Sequence, residues 1–101
     1  MLNLNHSQVI QVYRKEVFTM TKKEKNELKK MYEQEVFQTM LYGELVCRGH
    51  KKYETDWDLS SVSKRTLEVF MVNSGINPYE VVTKEERETL KKEAIERASR
   101  E

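Results

Sequence analysis

Two copies of one short pattern constrain this chain more than anything else in it: Thr21-Lys22-Lys23-Glu24 and Thr83-Lys84-Glu85-Glu86. In each, the threonine oxygen can accept from the backbone N–H three residues on, while the glutamate accepts from the threonine's own N–H. Both are therefore capping boxes, and a helix is expected to start at each. Breakers are scarce, three glycines and one proline in 101 residues, so the intervening chain is more easily wound into helices than folded into a turn-rich sheet. The expected fold is all-α, a single domain over residues 1–101 built as a bundle of about four helices plus one short helix.

The first helix is expected from about His6, capped by Asn5, to Met20, where Ile10, Tyr13, Val17 and Met20 make a stripe of helical period broadened by Val9 and Val12. Met20-Thr21 leaves almost no connection, so the first two helices are expected to form an antiparallel hairpin. The second helix starts at Thr21 and runs to about Val46, with Gly49 as its stop. From Met31 to Val46 its apolar residues surround most of the axis, which marks the central core helix or a surface pressed against a second chain. Tyr-x-x-Glu-Val-Phe occurs at Tyr13 and again at Tyr32, but two units do not make a repeat array.

Residues 47–60 show no clear period and read as the main loop, basic and aromatic in character. A third helix is expected to be capped near Ser60 or Ser61 and to stop at Gly75. Asn77-Pro78 carries a cap followed by an N1 proline and opens a short turn through Val82. The last helix, from Thr83, has a thin apolar stripe of Leu90, Ala94, Ile95 and Ala98, and its end is expected to fray.

Composition bounds the functional classes. Hydrophobic residues make up 38% and charged residues 35% of a 101-residue chain with a mean hydropathy of -0.80, so the helices face water and one modest core is expected. The formal charge of +1 argues against both a histone-like basic protein and an acidic DNA mimic. It hides an asymmetry: residues 1–52 hold ten Lys or Arg against six acids, and residues 53–101 hold eight against eleven. A lone cysteine, Cys47, cannot form an intramolecular disulfide, which fits a reducing interior. Neither a signal segment nor a membrane span is read, and the expected location is cytoplasmic. Abundant Lys, Glu and Asn beside little Ala, Gly and Pro suggests an AT-rich bacterial or phage-type genome.

Chemistry-bearing constellations are thin. Cys47, His50 and Asp56 or Asp58 supply the residue types of a nucleophilic site, yet closeness in sequence is poor evidence for one. One cysteine and two distant histidines, His6 and His50, fall short of a zinc set. Glu24-x-x-Glu27 and Glu93-x-x-Glu96 have the spacing that all-helical nucleotide hydrolases use for magnesium, but lie in lysine-rich stretches, whereas magnesium needs several converging carboxylates. The glycines form no phosphate loop. No catalytic residue, metal or cofactor is expected.

Two binding readings remain. In the leading one the chain is a non-enzymatic adaptor, inhibitor or regulatory subunit that binds another protein and self-associates as a homodimer. It rests on the wide apolar surface of Met31, Val36, Phe37, Met40 and Leu41, whose thioethers suit adaptable contacts. In the alternative, Arg48, His50, Lys51 and Lys52, interleaved with Tyr53 and Trp57, grip the phosphates and unstacked bases of DNA or RNA. The stretch Ser61-Val62-Ser63-Lys64-Arg65-Thr66-Leu67 resembles the start of a helix-turn-helix recognition helix, which brings in Lys64 and Arg65. The same loop, however, occupies the place where that motif needs a supporting helix.

Overall fold

The computed structural model describes residues 20–101; the first helix expected over His6–Met20, and hence its hairpin with the next, lie outside the described residues. Among the described residues the fold is all-α: α1 (Lys22–Cys47), a 3-10 turn (Lys51–Tyr53), α2 (Glu54–Asn73), the four-residue α3 (Pro78–Val81) and α4 (Lys84–Ala98). Both capping boxes form. Thr21 Oγ1 accepts from the Glu24 N–H at 3.1 Å and Thr83 Oγ1 from the Glu86 N–H at 3.2 Å, and each glutamate accepts from the threonine N–H in return. Asn77 caps α3 by accepting from the Tyr79 N–H at 2.9 Å, with Pro78 at the first helical position.

α1 and α2 end alike. Gly49 and Gly75 have φ of 98° and 77°, the left-handed region that glycine adopts without a Cβ penalty. In both cases the glycine N–H bonds the carbonyl three residues back (Val46, Val72) and the next N–H bonds the carbonyl five back (Leu45, Met71). Those paired bonds are the Schellman arrangement and satisfy otherwise orphaned carbonyls.

α1 is the spine. Tyr32 meets Glu68, and Gly43 meets Trp57, so α2 runs antiparallel along one side of it. Lys29 pairs with Glu86 and Phe37 lies under Arg97, so α4 runs parallel along another. α2 and α4 scarcely touch each other. Between them Tyr32, Val36, Met71 and Val82 form the buried core, with Leu28, Met40, Leu67, Ile76, Val81 and Leu90 packed around it. Each such side chain contributes about 1.5–3 kcal/mol when fully buried. The all-round apolarity of α1 is explained by its central position.

One expectation is corrected. Residues 54–60 are not loop: α2 begins at Glu54, about two turns before Ser61, with Glu54 and Asp56 in its first turn where the helix dipole favours carboxylates. The C-terminal helix continues to Ala98, which is buried, and Glu101 accepts from the Tyr53 hydroxyl at 3.0 Å.

Candidate interaction surfaces

The basic and aromatic residues lie at the turn between α1 and α2, and most are already engaged. Tyr53 stacks on Tyr42 with centroids 5.7 Å apart, and Lys52 Nζ sits 5.1 Å from the Tyr53 centroid. Trp57 packs against α1 at Gly43, where an added Cβ would stand 3.0 Å from the indole nitrogen. Arg48 pairs with Glu44 at 3.1 Å, while Lys51 and Lys52 are exposed and His50 is half-buried. Neither ring is a free stacking platform. Lys64 and Arg65 stand about 15 Å further along α2 at 1.5 Å per residue, so the eight positions do not form one patch. Because Ser61 lies in the interior of α2, the resemblance of Ser61–Leu67 to the start of a recognition helix is lost.

The apolar candidates on α1 divide. Val36 is buried in the core and Met40 is packed against it, so neither is available to another protein. Phe37 and Leu41 are half-buried, and the Arg97 guanidinium lies 5.8 Å from the Phe37 centroid. Met31 alone is well exposed, at 56%.

A surface absent from the sequence reading lies on α2. Leu59, Val62, Val69 and Phe70 are 63, 64, 51 and 40% exposed. With 3.6 residues per turn, Leu59, Val62, Thr66 and Val69 share one strip, while Met71 faces the opposite way into the core and Leu67 lies between the two. The strip continues into an open groove between α1 and α2 lined by Met31, Gln34, Glu35, Val62, Thr66 and Leu67. Soluble monomers rarely leave a contiguous apolar strip of this kind uncovered without a binding role. The i, i+3, i+7, i+10 spacing was present in the sequence, but it reads as a helix face only once the helix is known to begin at Glu54.

No family model, curated protein or solved structure matches this chain.

On the side of the core facing α3 and α4, three polar groups from three helices meet. Tyr32 donates to Glu68 Oε2 at 2.7 Å and accepts from Arg87 Nη2 at 2.8 Å. Arg87 also donates through Nε to the Val82 carbonyl at 3.0 Å and through Nη2 to the Pro78 carbonyl at 3.3 Å, with its guanidinium 4.3 Å from the Tyr79 centroid. Burial, reinforced by the bond to Glu68 and opposed by Arg87, pushes the Tyr32 phenol up to about 12. Each group has its partner, and the cluster reads as a fastening for the α3 turn. Among the described residues no group of three or more His, Cys, Asp or Glu is placed to hold a metal ion. No described helix is long and apolar enough to cross a membrane.

Proposed function

We propose that this chain is a non-catalytic, cytoplasmic regulatory module that works by binding another protein through the outward face of α2, and that it self-associates through the same face. The observation that supports this is the exposed strip of Leu59, Val62, Val69 and Phe70, continued across the groove by Met31. Apolar strips of this form suit the groove or helix face of a partner. The test is sedimentation velocity over a broad concentration range, comparing the full chain with a Val62→Glu/Val69→Glu variant. Both positions are exposed, so the variant keeps its fold. A dimer population that grows with concentration and is abolished in the variant supports the reading; a strictly monomeric wild-type chain overturns self-association.

A nucleic-acid role is the second reading, favoured by one observation: Lys51 and Lys52 project exposed from the end of the hairpin beside Arg48. With both rings engaged, contact there would be electrostatic and independent of sequence. Fluorescence anisotropy with labelled duplex and single-stranded DNA and RNA at low and near-physiological salt decides it. Salt-sensitive binding lost in Arg48→Ala/Lys51→Ala/Lys52→Ala supports it, and no binding at low salt removes it.

A further inference from the structure

The strip on α2 favours one orientation of a second copy. Leu59, Val62, Thr66 and Val69 fall at alternating spacings of three and four, and Asn73, also exposed, continues them, which is the seven-residue repeat of a helix-pair seam. Asp58 and Arg65 flank one edge of this seam, Ser63 and Phe70 the other. Two such helices laid antiparallel set Leu59 on Val69 and Val62 on Thr66, and like edges then meet. Arg65 would face the second copy's Arg65, a like-charge contact that opposes this arrangement. Laid parallel and in register, unlike edges meet: Arg65 faces the second copy's Phe70 and Asp58 its Ser63, with no like pair. Asn73 then opposes Asn73, and a single asparagine at such a position fixes the register of a parallel pair.

Orientation has a consequence at the turn. Lys51 and Lys52 immediately precede α2 and, among the described residues, neither is ion-paired, whereas Arg48 is held by Glu44. One turn alone therefore neutralises few phosphates. A parallel pair sets both turns at the same end, with helix axes about 10 Å apart.

We propose that α2 pairs in parallel with α2 of a second copy, and that the two adjoining turns form one site for the phosphate backbone of nucleic acid, a site the single chain lacks. This rests on the self-association proposed above and goes beyond it by fixing the orientation and by assigning the paired turns a ligand.

The test is double electron–electron resonance on the full chain with a nitroxide at Glu54→Cys, in a Cys47→Ser background. Position 54 is ten residues from the midpoint of the seam, so an antiparallel pair separates the labels by about 30 Å along the axis, whereas a parallel pair holds them at one level, roughly 10–25 Å apart. The short distance is expected. A distance centred at 30 Å or beyond overturns the parallel pair while self-association stands, and sedimentation that shows only monomers removes both. Anisotropy with a labelled DNA duplex at low salt then compares the wild type with Val62→Gln/Val69→Gln, which leaves the charge and every turn lysine unchanged. Binding weakened roughly tenfold or more in the variant is expected. Equal binding by the two, or no binding by the wild type, overturns the shared site.

Discussion

Arg87 and Tyr32 are fifty-five positions apart in sequence and 2.8 Å apart in space, guanidinium to phenol oxygen. Through that contact α4 holds α1, and through the bond from Tyr32 to Glu68 α1 holds α2. Tyr32→Phe removes one oxygen and leaves both Glu68 and Arg87 short of a partner, so a loss of about 1–2 kcal/mol is expected in urea unfolding. Arg87→Ala also strips the Val82 carbonyl of its Arg87 donor, while the Pro78 carbonyl keeps the Val82 N–H, and should cost more. A double-mutant cycle between Tyr32→Phe and Glu68→Gln should show coupling, whereas additive losses would dissolve the cluster into independent contacts.

The same phenol makes stability depend on alkaline pH. An unfolded tyrosine ionises near 10 and folded Tyr32 near 12, so below pH 10 both states are protonated and stability is complete. Between pH 10 and 12 the unfolded chain releases its proton first and is favoured, with a loss approaching about 2–3 kcal/mol. Unfolding midpoints measured across that window should fall for the wild type and fall less steeply for Tyr32→Phe.

Thr83 should matter more than Thr21, although their motifs are matched. Glu86 serves Thr83 with Oε1 and reaches Lys29 on α1 with Oε2 at 3.0 Å, whereas the Thr21 box is exposed and, among the described residues, tied to no other element. Thr83→Ala is expected to cost about 1–2 kcal/mol and Thr21→Ala about 0.5–1 kcal/mol, by thermal or urea unfolding. The Lys29 contact and then the Thr83 bonds hold the Glu86 carboxyl below its usual range, so its contribution is present above ordinary carboxylate pKa values and is lost as pH falls through the lowered one.

Gly43 sits mid-helix, where glycine ordinarily costs about 1 kcal/mol relative to alanine. The close approach of the Trp57 indole leaves a Cβ little room there. Gly43→Ala should move the indole and red-shift its fluorescence while changing stability by less than about 1 kcal/mol, because the helix gain offsets the lost contact. Unchanged emission would mean that the ring yields at no cost.

Cys47 is exposed at the end of α1. It should react with a thiol-specific reagent in the native protein as fast as in the unfolded one, and its alkylation should leave helicity and unfolding midpoint unchanged.

What the sequence made legible is what is local. The boxes at Thr21 and Thr83, the glycine stops at 49 and 75 and the Asn77-Pro78 cap each depend on bonds within six residues, and each forms as read. The start of α2 was missed because Glu54–Ser60 carries its apolar members, Trp57 and Leu59, on different faces, which blurs the period. The acids at Glu54 and Asp56 were the available cue. Whether Val36 and Phe37 faced a core or a partner depended on α2 and α4 closing over α1 from long range, and the meeting of Tyr32, Glu68 and Arg87 depended on the same closure.

That α2 and α4 share a wall but not a seam has a consequence for the order of assembly. The α1–α2 hairpin closes over a short connection, so its loop-closure entropy is small and it can form while the chain is still being made. Among the described residues α4 packs chiefly on α1, so it is expected to arrive last, on a wall already built. Its release should accordingly be a separate, lower-energy opening, seen as amide protons of Lys84–Ala98 that exchange ahead of those of α1 and α2.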